Sequence, residues 1–300
     1  MDWNSTIKGF VSYLQLEKSL SPNSIDAYKR DLAKLHKYAT TLPKPKSPSN
    51  ITQDDLEGLL KSLNELEILE RSQARLVSAI KGFYKYMVLE NIIKENPAQL
   101  IEAPKLPKTL PVYLTLEEVD AILGAIDMSH PQGQRNRAII ETLYACGLRV
   151  TELINMKISN LFLDVEVIRV IGKGDRERLV PINSSAIKHL RLYMNEIRKH
   201  QKIEKGYEDF VFLNRRGKPL SRVMIFMIIK DLVLEAGIQK NVSPHTFRHT
   251  FATHLYEAGA DLRAIQDMLG HRSILTTEIY SHVNTRYLKN TLEKYHPRFQ

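Results

Sequence analysis

The stretch Ala103-Pro104-Lys105-Leu106-Pro107-Lys108-Thr109-Leu110-Pro111 decides the layout of the chain. Three prolines in nine residues bar helix continuation and hold the backbone extended, which predicts a stiff linker over 104–111 between two domains. Upstream, the strong signals are helical. An amphipathic run occupies about Ser5 to Lys18, and Ser21-Pro22 supplies an N-cap and a first helical residue ahead of Ile25, Tyr28, Leu32, Leu35 and Tyr38. Basic side chains fall on the wet face of that second helix. After a polar loop over 43–50, Thr52 caps a run with Leu56, Leu59, Leu60 and Leu63, and Ser72 opens another with Leu76, Ile80, Phe83, Tyr84 and Met87. Four helices without strands predict a small helical domain over 1–103.

Downstream, residues 112–300 read as a second domain, mainly α with a small β-hairpin. Thr115-Leu116-Glu117-Glu118 is a capping-box-like start for a helix through Ile126, and a further helix over Arg135 to Tyr144 stops at Gly147. The stretches Val165-Glu166-Val167-Ile168-Arg169-Val170-Ile171 and Arg178-Leu179-Val180-Pro181-Ile182 are rich in branched residues and flank Gly172-Lys173-Gly174-Asp175, the pattern of a hairpin. Helical patterns then return. No internal repeat or low-complexity tract interrupts them.

The 300 residues, 43% hydrophobic, suit two domains and exclude a disordered tail or a fibrous repeat. No stretch approaches the roughly 18–20 apolar residues of a membrane span, and Met1-Asp2-Trp3-Asn4 lacks a signal-peptide start, so a cytoplasmic protein is expected. The single cysteine, Cys146, rules out an intrachain disulfide and a cysteine-based zinc site. Forty-three Lys and Arg against 34 Asp and Glu leave a net charge of +9, which favours polyanionic partners. Residues 108–300 hold 28 basic and 21 acidic side chains, against 15 and 13 before them, so most of the surplus sits in the second domain.

The strongest local signal for chemistry is Ser243-Pro244-His245-Thr246-Phe247-Arg248-His249. Ser then Pro opens a helix, and a spacing of three puts His245 and Arg248 on one face of its first turn, where free N–H groups and the positive dipole end already favour an anion. A guanidinium adds a bidentate fork suited to phosphate. The bland alternative packs His245 against Phe247 and leaves Arg248 a solvated charge. His245, His249, His254 and His271 invite a metal reading, but there is no His-Glu-x-x-His and Arg248 would face the cation. No metal or cofactor is expected, and His254 reads as a satisfied helix histidine. Asp261 caps a short helix ended by Gly270, which throws His271 out of it. Tyr280 follows nine residues later, on a further short helix begun by Ser273. In Ala145-Cys146-Gly147-Leu148-Arg149-Val150-Thr151-Glu152-Leu153 a helix breaks at glycine and presents Arg149, with Glu152 three residues on to orient it, although a structural salt bridge would look the same. Lys173, bare between two glycines, can reach a ligand, or be a solvated turn.

Arg149, Lys173, the His245-x-x-Arg248 pair, His271 and Tyr280, in that order and in those contexts, resemble the tyrosine recombinases, also called the phage-integrase family. The family's first box resembles residues 143–153, its hairpin residues 172–178, and its second box His245 to His254, running on through Leu269-Gly270-His271 to Thr276-Thr277-Glu278-Ile279-Tyr280. The linker and the final Tyr295-His296-Pro297-Arg298 are similar to the Xer-type members, and Gly259-Ala260-Asp261-Leu262-Arg263 leans toward the XerD branch. Arg176 stands where many members carry lysine and Thr151 where serine is usual, which bears on the branch and not on the chemistry.

The resemblance implies a helical, SAM-like core DNA-binding domain over 1–103 and an α+β catalytic domain over 112–300 that ends in a protomer-exchange helix. It implies site-specific strand transfer through a 3′-phosphotyrosyl bond and a Holliday junction, without a cofactor. Tyr280 would be the nucleophile, Arg149 and Arg248 the phosphate clamp, Lys173 the general acid, and His245 a base in cleavage and an acid in the reverse step. His271 would donate a hydrogen bond to the phosphate, and Glu152 would support Arg149. Implied partners are double-stranded DNA, a related recombinase in a tetramer, and a septal DNA translocase; no membrane partner is implied. Chromosome-dimer resolution at cell division is the implied role. A type IB topoisomerase, a mobile-element integrase and a non-enzymatic architectural DNA-binding protein remain as alternatives.

Overall fold

The computed structural model describes residues 2–18, 20–66, 68–105, 112–172, 177–270 and 282–299. The chain divides into two compact units, 1–109 and 110–300. Part of the expected linker, 106–111, lies outside the described residues, as do Lys173, His271, Tyr280 and the helix expected from Ser273.

The first unit holds α1 (Trp3–Leu16), α2 (Pro22–Thr41), α3 (Gln53–Glu65) and α4 (Glu70–Leu89). Local capping sets most of their starts. Ser21 accepts the Ser24 N–H with Pro22 at the first helical position, and Thr52 and Asp55 cap each other's backbone N–H. Two starts differ from the sequence reading. Capped by Asp2, α1 begins at Trp3, two residues before the run expected from about Ser5, which admits Trp3 to the core; its indole donates to the Lys46 carbonyl at 2.9 Å. α4 begins at Glu70, so Ser72 lies inside its first turn with its N–H on the Leu69 carbonyl. A carboxylate already suits that helix end, which removes the need for a serine cap. Phe10, Leu32, Leu35, Leu76, Phe83 and Met87 form the core.

In the second unit, α5 (Leu116–Gly124) starts on the Thr115/Glu118 capping box and ends two residues before Ile126. Helix α6 (Gly133–Cys146) is buried over its whole second half and is the axis of the domain. α7 (Val150–Ile154) follows its break. The sheet is antiparallel, in the order β1 (Leu161–Phe162), β2 (Val167–Ile171), β3 (Glu177–Pro181), with Ile168 opposite Val180 and Val170 opposite Arg178. The hairpin is therefore edged by a third, two-residue strand too short to carry an alternating pattern. The expected strand start at Val165 moves to Val167 because Glu166 adopts φ +57°, a turn conformation.

Helices α8 (Ser184–Leu192), α9 (Arg222–Glu235), α10 (Pro244–Glu257), α11 (Leu262–Leu269) and α12 (His282–Tyr295) complete the unit. In this single chain α12 packs on its own domain: Leu288 and Leu292 are buried with Phe251, Leu255, Ile265 and Met268. Beyond it His296 is enclosed by the rings of Tyr144, Phe251 and Phe299, and Arg298 bridges Glu141 and Asp120. No helix among the described residues is long and apolar enough to cross a membrane.

Gly147 is where side-chain-free backbone is required. Its φ is +56°, and a Cβ there would meet Phe251 Cδ1 at 2.5 Å and Leu269 Cδ2 at 3.0 Å. Gly147→Ala combines left-handed strain with overpacking, so denaturant unfolding is expected to register a loss of roughly 2–5 kcal/mol. An unchanged midpoint would mean that α6 can end elsewhere.

Candidate active site

Helix α10 begins as the sequence predicts. Ser243 and Thr246 cap each other's N–H, Pro244 is the first helical residue, and His245 stands exposed in the first turn. Arg248, on the same turn, is not a solvated charge: it is 4% exposed. Its Nη1 donates to the Gly147 carbonyl at 2.8 Å and its Nη2 donates to the Leu269 carbonyl. Both acceptors lie at helix ends that a left-handed glycine terminates, at Gly147 and Gly270. The carbonyls left without a helical partner at those ends supply the dipole charge that a buried cation needs. Burial, followed by repulsion from Arg149, lowers the Arg248 pKa to about 10, which still leaves it cationic at neutral pH.

Glu152 is the centre of the cluster, with 5% of its surface exposed. Its Oε2 accepts the Arg149 backbone N–H at 2.8 Å and its Oε1 accepts Arg149 Nη1 at 2.8 Å. A second arginine, Arg178 of β3, donates Nη1 to Oε1 and Nη2 to Oε2, both at 2.9 Å, and Arg248 Nη1 lies 3.9 Å from Oε2. Burial by itself would raise the Glu152 pKa; the Arg178 fork and then the Arg149 bonds outweigh it and hold the carboxyl below its usual range. The side chain of Arg149 stays 41% exposed, so part of its fork faces outward.

The structure thus brings together Arg149, Glu152 and Arg248, with His245 on the same helical turn as Arg248; Lys173, His271 and Tyr280 fall outside the described residues. Sequence reasoning did not single out Arg178. The signal was its strand parity: Arg178, Val180 and Ile182 alternate on one face, so an arginine at the first of these had to be buried and matched by a carboxylate. His254, read as a satisfied helix histidine, shares a 2.8 Å hydrogen bond with the Tyr144 hydroxyl. Cys146 is fully buried and its thiol pKa is pushed up, which makes it inert.

Residues 7–91 match the N-terminal SAM-like domain of phage integrases, and residues 112–286 match the phage integrase family. The chain belongs to the phage integrase family. Among its relatives in that family is a tyrosine recombinase XerD of Listeria innocua, 40% identical over 295 residues, 98% of this chain and 99% of the relative. A XerD of Chlorobaculum tepidum is 40% identical over 303 residues, 99% and 97% of the two chains. Among solved structures, a XerH site-specific recombinase bound to its difH substrate before cleavage is 27% identical, with a TM-score of 0.68 over 83% of this chain and 74% of that one. This phage-integrase member is a site-specific tyrosine recombinase of the XerD type, with a SAM-like helical domain followed by the catalytic domain.

The lowered Glu152 pKa carries a stability prediction. A carboxyl whose folded pKa is depressed contributes stability in full above its unfolded value and loses it as the pH falls through the folded value. Relative to Glu152→Gln, the wild type is expected to lose unfolding free energy in urea titrations as the pH drops below 4.5, the ordinary glutamate value. Parallel stability curves for the two proteins would mean that the arginines do not hold this carboxylate.

Proposed function

We propose that the cluster around Glu152 clamps a scissile DNA phosphate for attack by Tyr280, and that the protein resolves chromosome dimers at cell division. The observation that carries this reading is the convergence of Arg149 and Arg248 beside one buried carboxylate, an excess of positive charge. Two guanidinium forks suit the two non-bridging oxygens of a phosphodiester and oppose the charge that builds on the pentavalent phosphorane. A phenol with a reference pKa of about 10 attacks poorly at neutral pH, and nearby cations favour its phenolate form. Tyr280 is then the nucleophile. The departing 5′-oxygen needs a proton, which Lys173 supplies as general acid. His245 takes the Tyr280 proton in cleavage and returns it in religation, and His271 donates a hydrogen bond to the phosphate. Because the phosphodiester energy is kept in the 3′-phosphotyrosyl bond, strand joining needs no energy-rich cofactor.

The substrate is double-stranded DNA, in keeping with the difH complex of the XerH relative and with the net charge of +9. Exchange of two duplexes calls for a tetramer, formed by this chain alone or with a related recombinase, and a septal DNA translocase is the proposed activator. In that assembly α12 docks on a neighbouring protomer, leaving the site on its own domain that Leu288 and Leu292 fill in the single chain. The setting is the cytoplasm.

The test is to incubate wild type and Tyr280→Phe with a nicked duplex carrying the chromosome-dimer site, and to look on a denaturing gel for protein attached to DNA. An adduct from the wild type alone is expected. Adducts from both would move the nucleophile to another residue; adducts from neither, despite tight DNA binding, would point to a missing activator or to an architectural role.

A further inference from the structure

Arg178 makes the fullest use of Glu152 and is the most enclosed of its partners after Arg248, at 6% exposure. Its Nη1 and Nη2 lie in parallel on the two carboxylate oxygens, the fork-to-fork geometry that only arginine provides. Its Nε donates to the Met268 carbonyl at 2.8 Å, at the end of α11. The turn above it is glycine: a Cβ on Gly270 would meet Arg178 Nη1 at 3.2 Å and Cδ at 3.3 Å, so the bare backbone is what lets the guanidinium lie there. Nothing in this geometry points Arg178 at a substrate, since three of its five N–H groups are spent on Glu152 and Met268.

The consequence lies in what Glu152 does for its other neighbours. A carboxylate buried at this depth must be matched by hydrogen-bonded charge. With Arg178 in place, Glu152 asks only one side-chain N–H of Arg149, and leaves Arg248 to the carbonyls of Gly147 and Leu269. Without Arg178, the candidates for its open positions are Arg149, bonded to it at 2.8 Å, and Arg248, at 3.9 Å. Closing on either would turn a clamp fork inward. Losing Arg178 would also lower the net charge at these four positions from +2 to +1, against a phosphorane that carries two negative charges.

We infer that Arg178 is a positioning residue of strand cleavage: by saturating Glu152 it leaves most of the Arg149 fork open to the scissile phosphate and keeps Arg248, held by the Gly147 and Leu269 carbonyls, from turning onto the carboxylate. The inference rests on the proposed role of those two arginines. The experiment measures single-turnover adduct formation on the nicked duplex, DNA affinity and thermal midpoint for wild type, Arg149→Ala, Arg178→Lys, Arg178→Gln, Glu152→Gln and the double variant Arg178→Gln with Glu152→Gln.

Arg178→Gln is expected to cleave about 10- to 100-fold more slowly, the scale for partners that orient a ligand-contacting group, with DNA affinity within about twofold. Removing the surplus carboxylate should restore part of the rate, so the double variant is expected to cleave faster than Arg178→Gln alone; because paired buried charges also couple in stability, the rates are compared well below the thermal midpoint of every variant. Arg178→Lys, which keeps the charge and loses the fork, should fall between wild type and Arg178→Gln. A wild-type rate in Arg178→Gln, or a double variant no faster than that single variant, overturns the inference. If Arg178→Gln lacks a cooperative thermal transition, the lysine variant decides: slowed cleavage at unchanged affinity supports positioning, and a wild-type rate overturns it. An Arg149→Ala variant that cleaves like wild type overturns the clamp itself, whatever Arg178 does.

Discussion

A single buried carboxylate organises the catalytic domain. Glu152 sits in α7, yet its oxygens bind Arg149 at the junction with α6 and Arg178 in β3, and stand 3.9 Å from Arg248 in α10. Removing a charge from water costs several kcal/mol, and the cost is met only when hydrogen-bonded partners surround it. The four groups together are a locked arrangement: Arg178 and Arg248 are buried close to each other and to Arg149 with the carboxylate between them, and the carboxylate is held ionised by its arginine partners. The price of that arrangement is strict geometry, and strict geometry is what a phosphate site demands.

The backbone completes what the side chains begin. α6 and α11 both end at a left-handed glycine, and Arg248 spans the gap between them by bonding the Gly147 and Leu269 carbonyls. Helix C-termini carry partial negative charge, so Arg248 is stabilised by dipoles in place of a second carboxylate. This matters for the site's charge. Dipoles hold the arginine without cancelling its cation, whereas another glutamate would have removed the positive excess that an attacking phenolate and a phosphorane require.

Legibility in the sequence followed the range of the interaction. Starts at Ser21, Thr52, Thr115, Ser243 and Asp261 were readable because a cap is settled within three or four residues. The stops at Gly147 and Gly270 were readable for the same reason. Arg149, Glu152, His245 and Arg248 could be named from local motifs and a family resemblance, but whether Arg248 was buried or solvated depended on carbonyls 101 and 21 residues away. Arg178 was missed because its partner lies 26 residues off: strand parity marks it as buried, but nothing in its own strand says which carboxylate meets it. Strand β1, two residues long, exists only through pairing with β2. The packing of α12 was likewise undecidable from its sequence, since the same apolar face serves any surface that accepts it.

The N-terminal domain contains the arrangement that the catalytic centre avoids. Asp31, wholly buried in α2, is met by Arg75 of α4, whose side chain is 44% exposed, about as open as Arg149. There Nε and Nη2 of Arg75 both close on the carboxylate, at 2.7 and 3.1 Å, and Lys34 adds a third contact at 3.4 Å. The half-exposed arginine gives up the bidentate edge of its fork. Arg149, facing a carboxylate of similar depth, gives up one side-chain N–H, because Arg178 already covers both oxygens. Two buried carboxylates in one chain thus show two outcomes of the same electrostatic demand: where the half-exposed arginine closes on both oxygens the pair staples helices, and where a buried arginine already covers both oxygens the half-exposed one keeps most of its fork for something else.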